Sequence, residues 1–152
     1  MLERRAAEHG LTGEDIVNAG FRLEAAPNGG WCAVREYEHP DGSLSRARVL
    51  MLDPDRSDGH WRWGAGSGQV EKPALLLGDR VRPDFVVVCE GESDAIKLSS
   101  ALGGWPGVLI VGLPGASFVP EDLARFAPGA VWVLASYADE ADDGCARDCW
   151  NE

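Results

Sequence analysis

Apolar positions along the chain change their period twice. In the first twenty residues Leu2, Ala6 and His9 follow one helical turn pattern. Thr12 and Asp15 then have the spacing of a capping box, which predicts a second helix start, and Gly20 supplies its stop. From Gly30 the period is two. Trp31 to Tyr37 and Leu44 to Leu52 are strand-like runs, joined by His39-Pro40-Asp41-Gly42. Pro, Asp and Gly favour a tight reversal, so the two runs form a hairpin. Asp53-Pro54-Asp55 breaks the second run, and His60 to Trp63 predicts a third strand before the glycine-rich stretch Gly64 to Gly68.

Beyond Pro83 the pattern becomes βαβαβ. Phe85 to Cys89 is unbroken apolar sequence, as in a strand covered on both faces. Gly91-Glu92-Ser93 leads into a helix with Ser93 as the expected N-cap, and Gly103-Gly104 ends it. Gly107 to Val111 predicts the next strand, and Gly112-Leu113-Pro114-Gly115 the turn after it. Pro120 to Phe126 reads as a short helix with Glu121 and Asp122 well placed at its start, and Ala130 to Ala135 as a third strand. Alternating strands and helices imply right-handed crossovers and a parallel sheet. The expected fold class is therefore α/β. A small Rossmann-like parallel sheet occupies residues 85–152, preceded over residues 1–84 by an N-terminal helix and an antiparallel β-hairpin region.

Bulk properties narrow the class of protein. A length of 152 residues suits one cored domain with an appendage. Hydrophobic residues at 45% and charged residues at 26% are globular values. No apolar stretch approaches the roughly 20 residues of a membrane span, and the N-terminus lacks the apolar segment of a signal peptide, so the expected location is cytoplasmic, with no membrane partner. Cys32, Cys89, Cys145 and Cys149 are then reduced thiols. Cys145 and Cys149 are four apart, but no second Cys/His pair with finger-like spacing accompanies them, which disfavours zinc.

The net charge of −11 is uneven. Residues 1–84 carry 11 basic and 14 acidic side chains, a net of −3, whereas residues 85–152 carry 3 and 11, a net of −8. Such a balance argues against gripping a phosphate backbone by charge alone. Acidic surface usually serves solubility, yet here it coincides with strand ends, where α/β sheets gather functional groups. Glu90 follows the first parallel strand. Tyr137-Ala138-Asp139-Glu140-Ala141-Asp142-Asp143 follows the third.

Three separated elements then resemble the Toprim domain shared by primases, topoisomerases, recombination mediators and some nucleases. Glu90-Gly91-Glu92-Ser93-Asp94 resembles its Glu-Gly-x-x-Asp segment, and Gly112 and Gly115 its glycine turn. Tyr137 to Asp142 falls where the family has Asp-x-Asp-x-x-Gly. Upstream, Tyr37, Asp41-Gly42, Arg46, Arg48, Trp61-Arg62-Trp63 and Lys72 to Leu75 are similar to the lead-in of phage and mobile-element DNA primases.

That resemblance implies Mg²⁺ or Mn²⁺, catalytic roles for Glu90 and Asp94, and metal ligation by Glu90, Asp139, Asp142 and Asp143. It also implies a primase or primase-helicase module for DNA replication, a nucleotidyltransferase that is magnesium-dependent and DNA-binding. The partners it implies are a single-stranded DNA template, nucleotides, and a helicase or a chain completing the fold. Arg46, Arg48, Arg62 and Lys97 are the candidate nucleic-acid contacts, and Gly91, Gly112 and Gly115 the structural turn residues. Two departures keep other readings open. Tyr137 stands where the family has its first aspartate, which allows a non-catalytic protein- or nucleic-acid-binding module, and a Toprim-type nuclease would use the same metals. The family also adds a helix and strand after the acidic loop, whereas this sequence stops at Glu152, so a fragment or a partner-completed module is expected.

Overall fold

In the computed structural model, which describes residues 1–26, 29–38, 44–52, 61–64, 74–114 and 127–135, the helical start is two helices, α1 (Leu2–Glu8) and α2 (Gly13–Asn18). Of Leu44, Ser45, Arg46 and Trp63 only the backbone is described. The capping box predicted at Thr12 is formed. Asp15 N donates to Thr12 Oγ1 at 3.1 Å, and Thr12 N donates to Asp15 Oδ2 at 2.7 Å, satisfying two backbone groups at the start of α2 that its own turns cannot reach. Glu3 Oε2 also accepts from Gly13 N at 3.0 Å, which ties α1 to the start of α2.

Four antiparallel strands follow in sheet order β1-β2-β3-β4: β1 (Arg22–Ala25), β2 (Trp31–Glu38), β3 (Leu44–Met51) and β4 (Trp61–Trp63). The expected hairpin is β2 with β3, and the expected third strand is β4, paired to β3 through Leu50 and Trp61. Strand β1 was not anticipated. It pairs with β2 through Leu23 and Ala33 at the sheet edge, where only four residues and two charges leave little period to read. One face carries Ala33, Tyr37 and Leu50, all nearly inaccessible. On that face Phe21 and His9 pack against Trp61, with ring centroids 5.5 and 5.9 Å away, and the Arg35 guanidinium donates to the Ala19 carbonyl. These elements belong to one compact unit, residues 1–70; a second spans residues 71–152.

The second unit contains β5 (Leu75–Gly78), β6 (Phe85–Cys89), α3 (Glu92–Leu102), β7 (Val108–Gly112) and β8 (Val131–Ala135), in sheet order β5-β7-β6-β8. Parallel pairing joins β6 to both β7 and β8, as the alternating pattern required. At the other edge β5 runs antiparallel to β7, so the sheet is mixed rather than wholly parallel. Leu75, Leu76 and Leu77 are all buried, which is why this short strand shows no alternation in the sequence. It precedes residue 85, yet its hydrogen bonds lie in the second sheet. A cluster of Leu76, Val86, Val88, Leu109, Val111 and Leu113 fills one face, with Trp132 packed against it.

Helix α3 begins two residues earlier than the Ser93 cap predicts. Gly91 is the N-cap, with φ −127° and ψ 154°, and Glu92 and Asp94 fall in the first turn, where the helix dipole favours acids. Gly103 ends the helix in the left-handed region at φ 58°, as its sequence position indicated. The stretch Pro120 to Phe126 and the turn residue Gly115 lie outside the described residues. No described helix is long and apolar enough to cross a membrane.

Candidate metal centre at a strand end

Parallel pairing aligns the carboxyl ends of three strands. Cys89 is level with Gly112 on one side and with Ala135 on the other. Leu113 N closes one junction by donating to the Cys89 carbonyl at 3.0 Å. Glu90 is the next residue along, half-buried, and it leads through Gly91 into α3. Hydrogen bonding through Cys89 therefore fixes the backbone immediately before the carboxylate. The first turn of α3 fixes it immediately after.

Asp94 joins this group from one helical turn further on. Its Oδ2 lies 3.1 Å from the point a Cβ on Gly91 would occupy, so the carboxylate folds back over the turn that carries Glu90. A side chain at Gly91 would press on the Asp94 carboxylate, which would have to give by a few tenths of an ångström. Cys89 senses the same group: burial, and then the Asp94 charge, push its thiol up to about 11. A thiol held neutral is a poor ligand and a poor nucleophile, which leaves oxygen donors as the chemistry of this strand end. Glu90 and Asp94 suit a hard divalent cation such as Mg²⁺ or Mn²⁺, which takes carboxylates and water.

Glu92 was not anticipated. It is only 5% exposed, a buried acid between the two candidate carboxylates. Its side-chain type resembles an ordinary first-turn acid, and the close seating of α3 on β7 that buries it is a tertiary fact. Gly112 also has a different job from the one its sequence position indicated. It is the last residue of β7 rather than a turn residue, and a Cβ there would stand 2.8 Å from Ala95 Cβ.

Other expected residues are not gathered at this strand end. Lys97 is exposed, three residues beyond Asp94 on α3. Arg48 is 6% exposed, with its Cζ 5.7 Å from the Trp61 ring centroid, so its charge is held inside the first unit. Arg62 pairs with Val49 while Arg48 pairs with Trp63, and neighbouring positions on a strand point to opposite faces. Arg48 and Arg62 therefore do not share a surface. For Arg46 the description stops at the backbone. Tyr137, Asp139, Asp142 and Asp143 lie outside the described residues, as does Gly115. Among the described residues no three His, Cys, Asp or Glu side chains form a metal-holding group.

Comparison with solved structures gives the fold a wider setting. A chain of the bacteriophage T7 lagging-strand DNA polymerase assembly with the primase domains of two gp4 subunits is similar at a TM-score of 0.68 and 18% identity, over 95% of this chain and 71% of that one. The primase fragment of the bacteriophage T7 primase-helicase is similar at 0.63 and 20%, over 93% of this chain and 56% of that one. A DnaG catalytic core follows at 0.62 and 14%, over 95% and 57%. The chain thus spans little more than half the length of the last two. No protein-family model and no curated protein matches the sequence. The fold is that of primase catalytic cores: an antiparallel sheet unit followed by an α/β unit with parallel strands.

Proposed function

We propose that the chain is the catalytic-core module of a DNA primase or primase-helicase, a nucleotidyltransferase that extends a primer on single-stranded DNA with Mg²⁺ or Mn²⁺. One observation carries this reading: Glu90 stands at the carboxyl end of the first parallel strand, with Asp94 folded toward its turn, in a fold similar to primase cores over at least 93% of the chain. The lead-in of residues 1–84 and the Toprim region of residues 85–152 then work as one catalytic core in the cytoplasm. Among the similar structures, one DnaG catalytic domain is bound to single-stranded DNA, and the T7 assembly contains an RNA/DNA hybrid and dTTP.

In this reading Glu90 holds the cation, and Asp139, Asp142 and Asp143 supply further carboxylates. Asp94 holds the Glu90 turn and accepts from metal-bound water. A bound divalent cation supplies charge neutralisation at the phosphorus and orients the attacking oxygen. Lys97 and Arg62 contact the template backbone, together with Arg46; Arg48 acts there only by leaving its place against Trp61. A helicase or a completing chain is the expected protein partner.

The test is template-directed synthesis of labelled primer from ribonucleotides on single-stranded DNA, with Mn²⁺ binding followed by calorimetry. Primer synthesis lost on Glu90→Gln supports the proposal, and cleavage of the template instead of synthesis favours a nuclease. Tyr137 in the expected aspartate position favours a second reading, a binding module without catalysis. An unperturbed tyrosine is a poor Mg²⁺ ligand at neutral pH. Wild type that binds no Mn²⁺, beside Tyr137→Asp that does, selects that second reading.

A further inference from the structure

Gly112 ends β7 level with Cys89, and its open side meets the first turn of α3. A Cβ built on it would lie 2.8 Å from Ala95 Cβ, 3.1 Å from Glu92 Cα and 3.4 Å from the Gly91 carbonyl oxygen. Its φ lies outside the left-handed region, so the backbone conformation does not demand glycine; the neighbours do. Two of those neighbours are backbone atoms of the residues just after Glu90, which cannot rotate away as a side-chain end could.

The residue before Glu90 is tied to the same strand, through Leu113 N donating to the Cys89 carbonyl at 3.0 Å. Glu90 is thus suspended between two attachments to β7, one on each side. The first is a hydrogen bond of fixed length. The second is the packing distance between Gly112 and Ala95, both without a side chain that could yield. The seating of α3 on β7 thus bears directly on the backbone that carries Glu90.

We infer that Gly112 and Ala95 are positioning residues for Glu90, acting through the seating of α3 rather than by touching a cation or substrate; the metal-affinity part of this rests on the function proposed above. A methyl group at Gly112 pushes the turn 90–92 off the strand end, and removal of the Ala95 methyl relieves the shortest of the three contacts, so that the turn returns part of the way.

Four proteins test this as the full chain: wild type, Gly112→Ala, Ala95→Gly and the double variant. Each is examined by Mn²⁺ calorimetry and by the backbone amide resonances of Glu90, Gly91 and Glu92 without metal. Gly112→Ala is expected to weaken Mn²⁺ binding about tenfold, the lower end of the effect of losing a supporting contact at a metal site, and to shift those three resonances. The double variant is expected to recover part of the affinity and of the resonance shift, since the contacts to Glu92 Cα and the Gly91 carbonyl remain, while melting at a lower temperature than Gly112→Ala because glycine inside a helix destabilises it. Recovery of binding against falling stability is a pattern that a purely structural role does not produce.

Affinity within twofold of wild type with unmoved resonances overturns the inference, and so does a double variant that recovers neither. Should Gly112→Ala fail to fold, Ala95→Ser adds one atom to the same contact from the helix side; a smaller loss of affinity with the same resonances shifted supports the inference, and no change in either overturns it. If wild type itself binds no Mn²⁺, the metal reading fails, while the metal-free resonances of the four proteins still decide whether the Gly112–Ala95 contact positions the turn.

Discussion

The two units handle charge in opposite ways. In the first, arginines are occupied within the unit: Arg5 pairs with Glu8 at 2.5 Å, Arg22 with Glu24 at 2.5 Å, and Arg48 lies over Trp61. Hydrogen bonding to Glu24 and its nearby charge hold the Arg22 guanidinium further toward its charged form. In the second, Glu90, Glu92 and Asp94 fall within five residues where a buried strand meets a helix. Sheet topology accounts for the difference. An antiparallel sheet spreads polar groups along its open face, whereas a sheet with parallel strands gathers functional groups beyond the carboxyl ends of those strands. The first unit therefore keeps its charges in pairs and packing within itself, and the second gathers carboxylates at one strand end, where the proposed function would use them.

The sharpest way to break this comparison is to remove the carboxylate at the strand end. Glu90→Gln keeps the shape and deletes the charge, and should lower primer synthesis about 10³-fold, since a catalytic cation supplies several kcal/mol. It should abolish Mn²⁺ binding and leave the melting temperature nearly unchanged. A protein that keeps its Mn²⁺ affinity without Glu90 carries its ion elsewhere, and the contrast between the units fails.

Matched cavities come next. Leu50 in β3 and Leu109 in β7 are both fully buried. Truncating either to alanine should cost about 2–5 kcal/mol in denaturant unfolding. The two should differ in function: Leu109→Ala loosens the sheet that carries Glu90 and weakens Mn²⁺ binding, whereas Leu50→Ala, assayed where it is still folded, keeps wild-type affinity. Equal losses of affinity would mean that the two sheets do not act separately.

A pH titration sharpens the same contrast through two buried thiols. Burial raises Cys32 above its ordinary value of 9.0, and burial with the Asp94 charge pushes Cys89 up to about 11. For an acid whose folded value is raised, the neutral form is the one the fold favours. Its stabilisation is complete below pH 9 and is lost as pH rises toward 11. Stability measured by denaturant should decline across that window, and less steeply in Cys89→Ala. A slope unchanged by that substitution would show that the Cys89 thiol does not titrate differently on folding.

Much of this architecture was legible from pattern. Phe85 to Cys89 was bounded correctly by its unbroken apolar run, although only the face of Val86 and Val88 is fully covered while Phe85 stays 47% exposed, and the Thr12–Asp15 pair announced α2 through its own hydrogen bonds. What escaped is what depends on distant neighbours. β5 is a strand because β7 lies beside it, and its three leucines alone fit a buried helix equally well. Ser93 has the right chemistry for a cap, but the helix starts where the β6 turn delivers it, at Gly91. Glu90 was singled out as the residue after a buried strand and Asp94 by the family resemblance, while the burial of Glu92 and the approach of Ala95 to Gly112 exist only once α3 lies on the sheet.

The smallest effect expected lies wholly within the first unit. Thr12→Ala removes the side-chain oxygen that accepts from Asp15 N and leaves Asp15 still able to accept from the residue 12 amide, so half of the capping box survives. Loss of an N-cap hydroxyl typically costs about 1 kcal/mol. Because Glu3 continues to hold the Gly13 amide at 3.0 Å, the loss should fall at or below that value. Urea unfolding of Thr12→Ala, of Glu3→Ala and of the double variant measures how the two supports combine. If they are coupled, the double variant loses more than the sum of the singles; strict additivity would show that the helix start is supported by each independently. Mn²⁺ affinity should be the same in all of them, and a fall would reveal that the start of α2 influences the carboxylates after all.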